Sequence, residues 1–360
     1  MRLVVLGLSL SSSWGNGHAT TFRALLKAFA ARGHDILFLE RDVSWYRDQR
    51  DLADPDFCEL AFYADLDDLR GWSDRIARAD AVIVGSYVPD GVAVGRFVQA
   101  TATGTTAFYD IDTPVTLAKL ARGDFEYLSP EIIPRYDLYL SFTGGPTLDL
   151  IERDLGSPAA RALYCSVDPA GYRPLGGTPT WDLSYLGTYS DDRQPTLERL
   201  LIEPARALPH RRFVVAGPQY PASIDWPANV ERIEHLPPSE HAGFYSASRF
   251  TLNVTRADMI AAGWSPSVRL FEAAACATPI ISDVWPGLDA IFAPDDEIIL
   301  ARSGSDVAVA LDRDDAAAIG VAAQRRVLGE HTAAIRAQQL EDYLEAASAA
   351  SAVPTMTSAA

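Results

Sequence analysis

Two charged side chains, Arg269 and Glu272, interrupt an otherwise apolar run at residues 264–276. The run has helical spacing, and a buried helix rarely tolerates charge without a partner. One interpretation is that the two side chains, three positions apart, pair with each other. The other is that Arg269 faces a phosphate while Glu272, a turn further in, accepts both hydroxyls of a ribose. The residue types alone leave both interpretations open.

The start of this predicted helix is itself a candidate anion site. Ser265 is a residue type that caps helices, and Pro266 suits a first helical turn. The N–H groups that follow, of Ser267, Val268 and Arg269, would then be free to bind an anion. A diphosphate would fit there.

A second set of candidate residues lies near the N terminus. Gly15 and Gly17, with Asn16 between them, allow a tight turn after an apolar first strand, and His18 opens the following helix. Their spacing is not that of a dinucleotide-binding fingerprint, which disfavours a Rossmann dehydrogenase. His18 has a direct role in a ligand site or is a capping or buried structural histidine.

The elements that position these residues follow from the hydrophobic pattern. Short apolar runs alternate with helical patterns, which is typical of parallel sheets with crossover helices. The predicted strands are residues 35–39, 81–84, 105–109, 138–142, 183–186, 212–217, 230–233, 250–254 and 279–282. The predicted fold is α/β, with two doubly wound Rossmann-like domains facing each other across a cleft and ligands at the carboxyl ends of the strands.

The predicted boundaries follow from composition. A stretch rich in Pro and Gly near mid-chain indicates a linker. We expect an N-terminal domain at 1–168, the linker at 169–180, a second domain at 181–331 and a C-terminal helix at 332–347. Residues 348–360 have too little hydrophobicity to order themselves and are expected to form a flexible tail.

The overall composition narrows the function classes. The chain has 360 residues, with 31 Lys plus Arg against 48 Asp plus Glu, a net charge of −17. This argues against a nucleic-acid or anionic-membrane partner. The first ten residues lead into no cleavage site, and no apolar run approaches the ~20 residues of a membrane span. Three widely spaced cysteines suggest a reduced setting, so a cytoplasmic location is expected.

Three segments resemble the CgeB-like branch of group-1 glycosyltransferases, whose fold is GT-B. The first is 264–276 with its continuation to Leu288, the second is the junction at 166–174, and the third is the glycine-bearing loop at 185–193. The resemblance implies that Gly187 and Thr188 belong to the loop beside the donor phosphates and that Arg193 is its basic residue. It also favours the donor-site interpretation of Arg269 and Glu272.

The activity implied is transfer of a sugar from a nucleoside-diphosphate sugar, linked to uridine or thymidine, to a hydroxyl-bearing acceptor. The donor is a co-substrate, and neither a cofactor nor a metal is expected. In inverting GT-B enzymes a histidine at the place of His18 serves as general base, and a near-neutral pKa would suit that role. Asp110 or Asp112 would point toward the acceptor or the sugar. A divalent metal on this Asp-x-Asp pair, as in GT-A enzymes, is the less favoured alternative.

The resemblance extends to other positions. His235 and Leu236 are similar to the family's base-contacting loop, and Arg256 either lines the cleft or forms a loop salt bridge. Trp264 stands where many retaining members carry a second Glu, so it stacks on a sugar or packs, and the stereochemistry stays open. Asp283 is placed near the sugar, although its spacing supports no particular role there.

Two other function classes remain. Nucleotide-sugar epimerases and hydrolases share this fold and donor site. A non-catalytic spore-coat or surface-assembly protein could keep the fold without turnover, although intact donor residues count against it. The acceptor and the oligomeric state cannot be derived from the sequence.

Overall fold

The computed structural model describes residues 1–14 and 17–352. The chain divides into two compact units. The first comprises Met1–Cys165 together with the residues from Ala333 on, and the second comprises Ser166–Thr332. The segment predicted as a linker is therefore grouped with the second unit.

The first unit is built on parallel strands. They are β1 (Arg2–Gly7), β2 (Asp35–Arg41), β3 (Glu59–Tyr63), β4 (Ala81–Gly85), β5 (Thr105–Asp110), β6 (Leu138–Ser141) and β7 (Ala160–Ala162). Across the described residues, the strand order is β3-β2-β1-β4-β5-β6-β7. The order reverses between β1 and β4, which is where doubly wound sheets bind ligands.

Helices cover both faces of this sheet. They are α1 (His18–Ala30), α2 (Ser44–Arg47), α3 (Leu66–Leu69), α4 (Ser73–Ala77), α5 (Gly91–Thr101), α6 (Thr113–Ala121) and α7 (Pro146–Arg153). Successive side chains of β1 enter opposite cores, with Val4 and Leu6 on one face and Leu3 and Val5 on the other. A strand buried on both faces is a continuous apolar run, as the sequence has it.

The second unit repeats this plan. Its strands are β8 (Trp181–Leu186), β9 (Phe213–Ala216), β10 (Val230–Ile233), β11 (Ser248–Asn253), β12 (Ile280–Ser282) and β13 (Ile299–Leu300). In the described part of the chain they pair in the parallel order β10-β9-β8-β11-β12-β13, which reverses between β8 and β11.

The helices of the second unit complete the alternation. They are α8 (Gln194–Leu197), α9 (Glu203–Ala207), α10 (His241–Ser246), α11 (Ala257–Ala262), α12 (Val268–Ala275), α13 (Gly304–Leu311) and α14 (Ala316–Glu330). A π-helical stretch, Glu198–Ile202, joins α8 to α9.

The last helix, α15 (Ala333–Ala352), packs on the first unit beside α1. Its residues Ala337, Leu340 and Leu344 are buried in the same core as Leu25 and Phe29. The helix includes residues 348–352, so the prediction that a flexible tail starts at 348 is wrong; residues 353–360 lie outside the described part. Among the described residues, no helix combines the length and hydropathy needed to cross a membrane.

Candidate functional site

The helix predicted to begin at Ser265 is α12, and it begins later. Ser267 occupies its N-cap position, so the assignment of Ser265 as the cap is wrong. The Ser267 hydroxyl donates to Asn253 Oδ1 at 2.9 Å instead of capping the helix. In the described part of the chain, the first backbone N–H group of the helix to donate is that of Leu270, to the Ser267 carbonyl. The N–H groups of Val268 and Arg269 come before it. They remain available to an anion.

Arg269 and Glu272 lie one turn apart on α12, and in the described structure they form no ion pair with each other. Arg269 donates through Nε to the Leu186 carbonyl and through Nη1 to Asn253 Oδ1 at 3.1 Å. Glu272 instead accepts from the Tyr245 hydroxyl at 3.3 Å. Both side chains are buried, with 8% and 5% of their surface exposed. The interpretation that they satisfy each other is wrong.

The Glu272 carboxylate is short of hydrogen-bond donors. Besides Tyr245, its Oε2 atom has His241 Nδ1 at 3.8 Å, and neither an arginine nor a lysine pairs with it within the described residues. A buried carboxylate without a basic partner needs several hydrogen bonds to offset its loss of hydration. Hydroxyl groups of a ligand would supply them.

Two glycines bring the carboxyl ends of β8 and β9 together. A Cβ atom on Gly217 would lie 2.2 Å from the Gly187 carbonyl oxygen, and the φ angle of Gly217 is +139°. A Cβ atom on Gly187 would lie 2.6 Å from the Tyr185 hydroxyl and 2.9 Å from Arg269 Nη2. Neither position has room for a side chain, so the turn at Gly187 leaves its backbone directly beside the Arg269 guanidinium.

Three arginines surround this turn. Arg193 donates to the Thr188 carbonyl at 2.9 Å, and its buried Nε has no hydrogen-bond partner among the described residues. The Arg232 guanidinium lies 4.2 Å from the centre of the Tyr220 ring. Burial raises the pKa of Tyr220, and the charges of Arg232, Arg193 and Arg269 oppose that rise. The Tyr220 hydroxyl donates to the Gly187 carbonyl at 2.9 Å.

In the described part of the chain, none of these arginines forms an ion pair with a carboxylate within 4 Å. Their hydrogen bonds go to backbone carbonyl groups and, for Arg269, also to the side-chain oxygen of Asn253. In a chain of net charge −17, such a concentration of positive charge suits an anion. The sequence had indicated Arg193 and Arg269; it gave no signal for Arg232, which lies on a short strand away from any motif.

Asp283 is a supporting residue. It is 4% exposed and accepts hydrogen bonds from the Thr255 N–H group and hydroxyl, at 2.9 and 2.8 Å. Burial raises its pKa, and the bonds from Thr255 oppose the rise. Its oxygens join the ends of β11 and β12, and the prediction that Asp283 lies near the sugar stays a prediction.

Three other predicted residues lie in loops. His235 is exposed and Leu236 half-buried in the loop after β10, where the Leu236 carbonyl is 3.3 Å from His241 Nε2. Arg256 Nε lies 3.7 Å from an Asp192 carboxylate oxygen, an ion pair of the surface kind that contributes little stability.

Trp264 packs against a glycine. A Cβ atom on Gly287 would lie 2.4 Å from the Trp264 ring, and the Trp264 N–H donates to the Pro286 carbonyl at 2.7 Å. Its φ angle of +43° is uncommon for a large side chain. The structure thus shows Trp264 packed against Gly287 while its ring stays half-buried, and its predicted contact with a sugar stays a prediction.

In the first unit, His18 opens α1 and lies against Tyr87, which follows β4. The two ring centres are 5.2 Å apart in an edge-on arrangement. His18 Nδ1 is buried and has no hydrogen-bond partner in the described part of the chain. Burial lowers the pKa of His18 to about 4. The near-neutral pKa expected of a general base is therefore corrected: the ring is neutral at physiological pH.

The Asp-x-Asp pair is engaged inside the first unit. Asp110 is fully buried and accepts from Tyr139 at 2.5 Å and from Thr116 at 2.7 Å. Burial raises the pKa of Asp110 to about 6. Asp112 accepts from the Tyr87 hydroxyl at 3.1 Å. Asp110 has no exposed surface, so its predicted direct role in catalysis is corrected to a supporting one. Asp112 lies beside Tyr87, the residue that contacts His18.

The glycine-bearing segment before His18 is described only from Gly17 on. Gly15 and Asn16 lie outside the described residues. Gly17 is the N-cap residue of α1 with a φ angle of −82°, and a Cβ atom there would have no neighbour within 4 Å. Gly17 therefore adopts a conformation open to any residue, and the predicted tight turn, which includes Gly15 and Asn16, stays a prediction. Among the residues described, no group of three or more His, Cys, Asp or Glu side chains could hold a metal ion.

Comparisons with known proteins agree with this geometry. Residues 193–342 match the family described as "Glycosyl transferase-like". No curated protein sequence matches the chain. Among solved structures, a sucrose-phosphate synthase from Thermosynechococcus elongatus is similar with a TM-score of 0.68 at 15% identity, covering 97% of this chain and 100% of the other.

Two further solved structures are similar over nearly the whole chain. HepE of Anabaena in complex with UDP and glucose has a TM-score of 0.66 at 13% identity, over 96% of this chain and 100% of that one. An alpha-glucosyltransferase, AGT, in complex with UDP has a TM-score of 0.67 at 12% identity, over 96% and 100% of the two chains.

The chain has the fold of GT-B glycosyltransferases over nearly its whole length, and residues 193–342, fewer than half of the chain, carry the match to the glycosyl transferase-like family. The predicted GT-B fold, with two parallel sheets of doubly wound order, is confirmed, and the match of residues 193–342 supports the predicted group-1 relationship. The match does not distinguish the CgeB-like branch.

Proposed function

We propose that this protein is a glycosyltransferase that takes its sugar from a nucleoside diphosphate, uridine- or thymidine-linked, and transfers it to a hydroxyl-bearing acceptor without a metal ion. The observation that carries the proposal is the separation of Arg269 from Glu272. Helix α12 presents the buried guanidinium of Arg269 beside the loop at Gly187. One helical turn further, it presents the buried carboxylate of Glu272, which has few hydrogen-bond donors.

The guanidinium end of this arrangement suits a diphosphate. Arg193, Arg232 and Arg269 lie around the turn at Gly187. The first N–H groups of α12, the helix that carries Arg269, are also available to a phosphate. Groups of this kind, fixed before the reaction, stabilise the charge that develops on a departing phosphate. Three guanidinium groups would do here what a divalent ion does in other transferases.

The carboxylate end suits a ribose. In the described structure Glu272 accepts one long hydrogen bond, from Tyr245 at 3.3 Å, and its remaining acceptor capacity matches two ribose hydroxyls. The similar HepE structures contain UDP or UDP-glucose, and the similar AGT structure contains UDP. These complexes support a uridine-linked donor for this chain.

The acceptor would be handled by the first unit. His18, neutral and buried on one side against Tyr87, offers a ring nitrogen as a hydrogen-bond partner to an acceptor hydroxyl. Because Asp110 is bonded to Tyr139 and Thr116, it would support this region rather than coordinate a metal.

A panel of nucleotides tests the proposal. Thermal unfolding is measured with UDP, dTDP, GDP and ADP at equal concentrations. Stabilisation by UDP or dTDP, but not by the purine nucleotides, is expected. The stabilising nucleotide is then supplied as its sugar conjugate with and without acceptors. Transfer supports the proposal, whereas hydrolysis alone or an isomerised sugar identifies a hydrolase or epimerase of the same fold.

A further inference from the structure

His241, at the start of α10, lies between the carboxylate that we assign to ribose and the loop that follows β10. Its Nε2 is 3.3 Å from the Leu236 carbonyl, and its Nδ1 is 3.3 Å from the Tyr172 hydroxyl. The same Nδ1 is 3.8 Å from Glu272 Oε2. No motif in the sequence had marked this histidine.

The Leu236 carbonyl assigns the tautomer of the ring. A carbonyl oxygen can only accept, so Nε2 carries the proton of neutral His241. Nδ1 is then an acceptor, and the Tyr172 hydroxyl donates to it. A lone pair of Nδ1, rather than a proton, is therefore turned toward this side of Glu272.

Tyr172 has one hydroxyl proton and two acceptors within reach. Both Tyr172 and Glu272 lie beside His241 Nδ1. Besides burial, the charge of Glu272 and a hydrogen bond to its carboxylate raise the pKa of the Tyr172 phenol. If the proton went to Glu272, Tyr172 and Tyr245 would both donate to the carboxylate. Less of its acceptor capacity would then be left for a ligand.

We propose that His241 is a positioning residue that takes the Tyr172 proton and so keeps Glu272 open to the ribose hydroxyls of the donor. The inference rests on the proposed function. Through the bond to the Leu236 carbonyl, the same ring fixes the loop after β10 relative to the ribose carboxylate. One side chain thereby fixes the position of the loop after β10 relative to Glu272.

A double substitution separates this role from simple packing. In His241→Ala the Tyr172 proton turns to Glu272, so we expect the affinity for UDP to fall roughly tenfold, as for the loss of a hydrogen bond to a charged group. Adding Tyr172→Phe removes the competing hydroxyl and should restore most of that affinity. Tyr172→Phe alone should bind UDP at least as tightly as the wild type.

Isothermal titration with UDP and with 2′,3′-dideoxy-UDP measures these effects on the full chain. The preference for UDP over the dideoxy analogue should shrink in His241→Ala and return in the double variant. His241→Phe, which fills the same space without a nitrogen, replaces His241→Ala if the latter does not fold.

Each outcome decides the matter. An unchanged preference in His241→Ala, or a double variant as weak as the single one, overturns the positioning role while leaving the donor site intact. A wild-type protein that binds neither UDP nor dTDP overturns the proposed function itself, and this inference with it.

Discussion

Arg269 and Glu272 stand three positions apart on α12 yet hold different partners: Arg269 donates to Leu186 and Asn253, and Glu272 accepts from Tyr245. A helix that merely buried a charged pair would have turned them toward each other. Keeping them apart leaves two buried charges that each need completion, by an anion and by hydroxyl groups. A nucleoside diphosphate supplies both at the spacing of one helical turn.

The first prediction concerns the diphosphate. Arg193→Met removes a guanidinium whose Nε has no partner in the described residues, and we expect UDP binding to weaken by about 1.5–3 kcal/mol, as for a lost charge-assisted hydrogen bond. Binding of uridine should not change. Arg199→Met, at an exposed position six residues on, removes the same charge and serves as the control. An equal loss of UDP affinity in both variants would mean that only the net charge matters, and would contradict a direct contact of Arg193 with the diphosphate.

The second prediction concerns metal ions. Since guanidinium and backbone N–H groups are proposed to neutralise the leaving diphosphate, transfer should persist in excess EDTA. Initial rates are compared before and after chelation and after addition of manganese. Loss of activity that manganese restores would favour a metal at Asp110 and Asp112 and contradict the proposal.

The third prediction concerns His18. His18→Ala should lower the turnover rate by the ~10²–10⁴-fold typical of a group that handles a proton, and leave UDP affinity nearly unchanged. The pH profile of kcat/KM should show no inflection from His18 near pH 6.5, since burial lowers its pKa to about 4. A stable variant with wild-type turnover would remove His18 from the mechanism. A residual rate that tracks the folded fraction would make it structural.

The fourth prediction follows from the same pKa. In the folded chain His18 has a pKa of about 4, against 6.5 unfolded, so between these values the unfolded state binds more protons. The contribution is fully present above pH 6.5 and is lost as the pH falls toward 4. The free energy of unfolding, measured with denaturant, should therefore change less between pH 7 and pH 4.5 in His18→Gln than in the wild type, by on the order of 1–3 kcal/mol.

The control for this experiment is His210→Gln, a change at an exposed histidine of the second unit. It should leave the pH dependence of unfolding as in the wild type. Asp110, whose pKa burial raises to about 6, acts in the opposite sense, because its contribution is lost as the pH rises through 6. That contribution is the same in the wild type and in His18→Gln, so it cancels when the pH-dependent change of the variant is subtracted from that of the wild type.

Much of the fold could be predicted because its signals are local. β1 and β4 are mostly apolar runs buried on both faces, and residues 230–233 form a strand with the predicted bounds. The strands β3, β7 and β13 were missed because they are short or only half-buried and carry no continuous apolar run.

The candidate site divides in the same way. Arg269 and Glu272 were predictable because charge in an apolar helix is conspicuous, whereas Arg232 and His241 depend on packing between segments far apart in sequence. The start of α12 was misplaced because the Ser267 hydroxyl bonds to Asn253, a partner that no local pattern reveals. The pKa of His18 was misjudged for a similar reason, since its burial involves Tyr87, far along the chain.

The central claim is that the second unit holds a nucleoside diphosphate through Glu272, and titration of UDP or dTDP into wild type, Glu272→Ala and Glu272→Gln tests it most directly. Glu272→Gln keeps the shape of the side chain and removes only its charge. We expect both substitutions to weaken binding, Glu272→Ala by about 1.5–3 kcal/mol, because hydrogen bonds to a charged group are lost. Undiminished affinity in a folded Glu272→Ala variant would contradict the claim.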